Sequence, residues 1–325
     1  MTEKMESAFL AELTAAARFR TSSAVRVGIG DDAAVLRPLC GEPVVTVDML
    51  MDGTDFYADR LSPHLIGRKS FAVNLSDLAA MAARPIAAFV AVALPKSGVP
   101  YHQERREPIP VAILAREIMA GMETLAQSYD VAIAGGDTNT WDAPLAISVT
   151  LIGESTPHGV WRRDGARPGD MVLITGSLGG SILRHHYEFT PRVKTALSLN
   201  ERYRIHAAMD VSDGLTLDLS RMAQASGVGV ELNAATIPIA SDAYRLSELE
   251  SGTPTPLDHA LGDGEDFELI LAVPPEESER ILTDQVTGKW APDDPGVAIA
   301  KIGRFVERPG LWLDGTAIEP NGWVH

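Results

Sequence analysis

The chain has 325 residues, 45% hydrophobic and 22% charged, with 44 Asp and Glu against 28 Lys and Arg for a net charge of −16. This length has room for two domains with their own cores, and the composition excludes a disordered chain. The acidic balance argues against nucleic acid as a partner, no segment reaches the ~20 apolar residues of a membrane span, and the single cysteine, Cys40, can form no internal disulfide.

Residues 5–19 alternate acids with a helical apolar rhythm. They lack the basic start and small-residue cleavage site of a secretion signal, so a cytoplasmic protein is expected. Next comes "GIGDDAAVL" (28–36), where Gly28, Gly30 and Ala33 have the spacing of a dinucleotide-binding loop. Such a loop needs a long helix after it, and Pro38 and Pro43 break any helix within two turns. The adjacent Asp31 and Asp32 would also repel a phosphate directly, so a phosphate there calls for a bridging cation.

"PVVTVDML" (43–50) reads as a strand, and Ser62 and Pro63 form a cap and first turn for a helix over 62–82 with one buried face. Strand 85–95, helix 110–128 and strands 131–136 and 144–154 follow. A polar, turn-rich stretch at 158–170 suggests a domain boundary near 155. Beyond it lie a strand with a Gly-rich turn in "MVLITGSLGGS", helices at 194–208 and 214–226, and strands in "GVGVEL", 266–273 and 296–305. The alternation gives an α/β (α+β) class with two domains, 1–155 and 156–325.

A glycine or serine beside an aspartate recurs at 46–56, 74–81, 135–141, 209–218 and 262–269. Most of these places are where a β-rich run gives way to a turn or helix, which is where α/β proteins gather ligand-binding residues. Two carboxylates at ~4 Å repel by about 4 kcal/mol at an effective dielectric near 20, so a converging set requires cations. Aspartate and hydroxyl oxygens suit Mg²⁺ working with substrate phosphates. Zinc is disfavoured because no CxxC or HExxH is present, and His185-His186 reads as a solvated helix end. No P-loop, protein-kinase motif or GxSxG elbow occurs, and "GRKS" (67–70) is a decoy inside a helix.

Taken in order, "GIGDDAAVL", "VDMLMDGTDF", "AVNLSDLAAMAARP", "AGGDTNTW", "RDGARPGD", "VSDGLTLDLS", "GEDFEL" and "NGWVH" resemble the thiamine-monophosphate kinase family over most of the chain. The resemblance implies an N-terminal ATP- and Mg²⁺-binding domain with a dimerising sheet, a C-terminal α/β domain completing the site, and a homodimer. It implies transfer of the ATP γ-phosphoryl group to thiamine monophosphate with no catalytic side chain. Metal ligands would be Asp32, Asp48, Asp77, Asp137, Asp210 and Asp213, with Thr46 near the metals. ATP would meet Gly136, Asp137, Arg163 and Ser212, with Arg163 a charge stabiliser, and the thiamine substrate would meet Asp55, Glu265 and Trp323. Each aspartate also has a structural reading, such as Asp210 and Asp213 capping the helix near Gly214.

Four features depart from the family pattern. Val47 replaces a hydroxyl residue, Asp55 stands where histidine is common, Ile118 falls at the adenine-contacting aromatic, and the segment after Ser181 is short. A purine-pathway cyclo-ligase of the same ATP-binding superfamily and a non-catalytic Mg²⁺-nucleotide binder remain open alternatives.

Overall fold

The computed structural model describes residues 24–99, 108–289 and 297–323. The helix expected at 5–19 lies outside them. Two compact units divide the chain, Met1–Leu78 with Arg84–Ser155 and Ala79–Ala83 with Thr156–His325. Among the described residues no helix is long and apolar enough to cross a membrane.

In the first unit, β1 (Val25–Val27) and β2 (Val35–Leu36) pair antiparallel around the "GIGDDAAVL" turn. A strand, not a helix, follows the two aspartates. The main sheet holds β3 (Pro43–Met51), β6 (Ala146–Glu154), β4 (Arg84–Pro95) and β5 (Ala132–Trp141), in that order. Only the β4–β5 pair is parallel. Strand β5 runs past the expected 136 to Trp141, because Asp137, Thr138 and Asn139 look like a turn in sequence yet pair with Ala91, Val92 and Ala93.

Helix α1 (Pro63–Ala80) starts as expected, with Ser62 Oγ accepting the Leu65 N–H at 3.3 Å. The expectation of one buried face is corrected: Ile66, Lys69, Ser70, Phe71, Asn74, Leu75 and Leu78 are all buried. Its polar side chains turn back on the helix, Ser70 Oγ to the Ile66 carbonyl at 2.9 Å and Asn74 Nδ2 to the Ser70 carbonyl at 3.2 Å. Helix α2 (Val111–Ser128) crosses α1 at two glycines. A Cβ on Gly67 would run into the Ile118 carbonyl and one on Gly121 into the His64 carbonyl, so the backbones touch where no side chain fits.

In the second unit, seven strands form one sheet in the order β13, β12, β9, β11, β7, β10, β8. They are β7 (Met171–Thr175), β8 (Ala207–Asp210), β9 (Gly229–Leu232), β10 (Leu269–Val273), β11 (Ile299–Val306), β12 (Gly310–Leu313) and β13 (Thr316–Ile318). Helices are α3 (His185–Glu188), α4 (Val193–Arg202), α5 (Leu215–Ser226), α6 (Ser241–Leu249), α7 (Pro256–Gly262) and α8 (Pro275–Val286). The helix expected over 194–208 ends at Arg202, and Ala207 onward is β8 instead. Its core packs α5, through Leu215, Leu219 and Met222, against Ile174, Met209, Val230, Ile270 and Phe305 of the sheet.

Candidate active site

The first unit builds its polar centre on β3. The pleat sends alternate residues to opposite faces, so Thr46 and Asp48 point inward while Val45, Val47 and Met49 are exposed. Val47, 60% exposed, therefore sits on the opposite face from Asp48 and takes no oxygen away from it. Across from the strand, the Thr46 hydroxyl donates to Asp77 Oδ2 on α1. Asp48 Oδ2 is buried with no hydrogen-bond partner. Burial, with Asp77 and then Asp55 adding to it, pushes the Asp48 carboxyl up to about 7. A carboxylate so placed is poised to take a cation.

Asp55 sits in the turn after β3, where its Oδ2 accepts the Met51 N–H at 2.6 Å. Lys69, fully buried, donates to the Asp55 carbonyl at 2.6 Å. The "GRKS" decoy thus pins the turn that carries Asp55. Asp32 is exposed, and its N–H donates to Asp31 Oδ1 at 2.8 Å. Gly136 and Asp137 are exposed on the edge strand β5, where a Cβ on Gly136 would strike the Val90 carbonyl of β4. Ile118 is fully buried in α2 and cannot stand in for an aromatic facing adenine.

At the C-terminal ends of β3, β4 and β5 a cavity of about 590 Å³ opens between Tyr57, Trp141 and the Lys96–Asp142 ion pair, whose atoms are 2.7 Å apart. Neither Asp48 nor Asp77 lines it.

The second unit gathers its candidates where β8 ends. Asp210, buried, is the last residue of β8, and Ser212 and Asp213 follow in the turn into α5. The N–H groups of Ser212, Asp213 and Gly214 all donate to Asp218 Oδ2, at 3.0, 2.9 and 3.1 Å. No side chain caps α5 at Gly214, so the capping reading of Asp213 is not what the fold uses. Asp213 is instead paired with Arg221, which also reaches Asp218 Oδ1 at 2.9 Å. Desolvation raises the Asp218 carboxyl above the ordinary range although the loop N–H groups pull the other way. Asp218 and Arg221 are not among the residues expected from sequence, where an acid in the first helical turn after three loop residues is a cue to Asp218 alone.

The backbone joins the other candidates to this turn. Glu265 N–H donates to the Ser212 carbonyl at 2.7 Å, and Trp323 N–H to the Asp213 carbonyl at 2.8 Å. Ser212, Asp213, Glu265 and Trp323 thus meet in one region of the second unit. The Trp323 side chain is 58% exposed, so it is not packed into the core. Arg163 is exposed, and its carbonyl accepts the Ser226 hydroxyl at 3.1 Å. His186 is buried and lies 3.3 Å from Glu265, correcting the solvated-end reading of the histidine pair. Among the described residues, no three His, Cys, Asp or Glu side chains are grouped closely enough to hold a metal by themselves.

Residues 30–155 match the family described as AIR synthase related protein, N-terminal domain, and residues 167–311 its C-terminal domain. A thiamine-monophosphate kinase of Rhodopirellula baltica is 42% identical over 335 aligned positions, covering 99% of this chain and 97% of the relative. The chain belongs to the thiamine-monophosphate kinase family. A solved thiamine-monophosphate kinase from Stenotrophomonas maltophilia superposes with a TM-score of 0.77 at 31% identity, covering 95% of this chain and 97% of that one. A complex of AaThiL with AMPPCP and TMP superposes with a TM-score of 0.71 at 26% identity, covering 97% of this chain and 95% of that one. As a thiamine-monophosphate kinase relative, the chain has the partly buried Asp48 in the first matched domain and the turn of Ser212 and Asp213 in the second.

Proposed function

We propose that this protein transfers the γ-phosphoryl group of ATP to thiamine monophosphate, giving thiamine diphosphate and ADP. The observation that carries the reading is the partnerless Asp48 carboxylate, beside Asp55 and Asp77, in a chain alike along its length to thiamine-monophosphate kinases.

The residues fit Mg²⁺. Asp48 offers a desolvated carboxylate oxygen, Asp77 another carboxylate and Thr46 a hydroxyl, all hard oxygen donors. Mg²⁺ commonly takes one or two carboxylates and completes its shell with water and substrate phosphates, which agrees with a site lacking a three-ligand protein cage. We assign Asp32, Thr46, Asp48, Asp77, Asp137, Asp210 and Asp213 to metal binding. Bound at Asp48 and Asp77, an ion would offset the charge of the polyphosphate.

Gly136, Asp137, Ser212 and Arg163 are assigned to ATP, and Asp55, Glu265 and Trp323 to the acceptor. The missing Cβ at Gly136 lets β4 pack against β5 beside the exposed Asp137, and the exposed indole of Trp323 offers a face for the substrate's aromatic ring. The acceptor is a phosphate monoester with a second pKa of about 6, so its attacking oxygen is largely deprotonated at neutral pH. No side-chain base or nucleophile is then needed, and the chain's residues work by aligning donor and acceptor.

The exposed row Val45, Val47, Met49 and Met51 on edge strand β3 supports a homodimer in which a second copy covers it. Its place is the cytoplasm, where ATP is available. Incubation with γ-labelled Mg-ATP and thiamine monophosphate tests the assignment: label should enter thiamine diphosphate with one ADP formed per product. Label on the protein after ATP alone would contradict direct transfer.

A further inference from the structure

Residues 263–268 read Asp-Gly-Glu-Asp-Phe-Glu, and each of them is held by the stretch 175–192. Asp263 Oδ2 accepts the Gly180 N–H at 2.7 Å and Asp266 Oδ1 the Gly179 N–H at 2.9 Å. The Ser181 hydroxyl donates to the Gly264 carbonyl at 2.7 Å. His185 Nε2 lies 2.9 Å from the Asp266 carbonyl, and Phe267 stacks on Phe189 with ring centroids 4.1 Å apart. Glu268 is ion-paired with Arg192 and accepts the Thr175 hydroxyl at 2.5 Å.

The segment needs such a splint. Glu265 and Phe267 have φ of 52° and 51°, left-handed values that cost side-chain-bearing residues on the order of 1–3 kcal/mol each and persist only where surroundings fix them. The contacts on Asp263, Gly264, Asp266, Phe267 and Glu268 are spent on the backbone and on buried groups. The contact on Glu265 differs. Its side chain is 36% exposed, and the group facing its Oε2, His186 Nδ1 at 3.3 Å, belongs to a ring only 11% exposed and packed edge-on against Tyr187 at 4.7 Å. A ring held by its neighbours thus faces a carboxylate that solvent can still reach.

We propose that His186 is a positioning residue that sets the plane of the Glu265 carboxylate in which it meets a donor group of the acceptor. The proposal rests on the reading that Glu265 contacts thiamine monophosphate. It places a specificity element in the short segment after Ser181.

Steady-state kinetics of the full chain, varying each substrate in turn, tests it. His186→Ala should raise KM for thiamine monophosphate about tenfold, the effect of losing one polar contact to a charged group, with KM for ATP and kcat within about twofold of wild type. His186→Asn, which keeps a donor near the δ position, should recover most of the loss, whereas His186→Gln, with its amide one carbon further out, should not. On a Glu265→Gln background, His186→Ala should have no further effect. An acceptor KM raised by Glu265→Gln but not by His186→Ala or His186→Gln overturns the proposal and leaves the Glu265 reading intact. An acceptor KM untouched by Glu265→Gln overturns both. A rise in both KM values with no recovery in the asparagine variant marks a merely structural histidine and also overturns it.

Discussion

The hydroxyl of Thr46 on β3 is hydrogen-bonded to the carboxylate of Asp77 on α1, so strand and helix meet through two polar side chains set 31 residues apart. Asp48, two residues along the same strand face, keeps its Oδ2 buried without a hydrogen-bond partner. Replacing Thr46 with valine keeps the shape and removes the donor. We expect a stability loss of about 1 kcal/mol and a fall in kcat of at least about tenfold, with the Mg²⁺ concentration for half-maximal rate shifted upward. A magnesium titration of the rate, alongside urea unfolding, checks both.

Asp48 gives a pH dependence with a defined sign. Its carboxyl is near 3.8 when unfolded and about 7 in the metal-free fold, so the folded state binds the proton more tightly. The contribution of Asp48 is therefore most favourable below about pH 4 and is lost as pH rises to about 7, by an upper bound of about 4 kcal/mol. In chelator-treated protein, Asp48→Asn should flatten that part of the profile and raise the melting temperature at pH 7.5, while removing activity. Thermal melts from pH 4 to 8 with and without Mg²⁺ make the comparison; added Mg²⁺ should stabilise wild type and not the variant.

Arg192 and Glu268 form a buried ion pair, with side chains 13% and 2% exposed. Arg192→Met leaves Glu268 buried with only Thr175 to bond it and should cost about 3–5 kcal/mol. Chemical denaturation reads this directly. A change under about 1 kcal/mol would mean the carboxylate finds water or another donor.

Helix crossing supplies a purely steric prediction. Gly121→Ala puts a methyl group against the backbone of α1 at His64, and Gly67→Ala meets Ile118 in the same way. Neither neighbour is a flexible side-chain end. Each variant should lose at least about 2 kcal/mol, against a gain of under about 1 kcal/mol for alanine at an uncrowded helical glycine. Urea midpoints of the two variants suffice.

How much of this is legible in sequence depends on whether a feature is periodic or convergent. Helices α1, α2 and α5 and strands β3, β4 and β6 follow from apolar rhythm and from Ser62-Pro63. The strand β8, Ala-Ala-Met-Asp, is buried on both faces, so it has no alternation to separate it from the helix before it. Short charged helices such as α6 and α8 and the small strands β12 and β13 give too little pattern to stand out. At the site, Asp48 and Thr46 are readable because the pleat has period two, and the same rule explains why Val47 removes nothing from their face. Asp218, Arg221, Lys69 and His186 are not readable. Their roles depend on which loop N–H, carbonyl or carboxylate the fold brings to them, and spacing along one segment carries none of that.

Carboxylates centred on Asp48 are expected to support phosphoryl transfer to thiamine monophosphate. The measurement that bears on it most directly is chromatographic detection of thiamine diphosphate from thiamine monophosphate and Mg-ATP, run in parallel on wild type and on folded Asp48→Asn. Wild type should form product with matching ADP, and the variant should form less than about one hundredth as much. Absence of thiamine diphosphate from folded wild-type protein, or equal turnover by the two proteins, would contradict the claim.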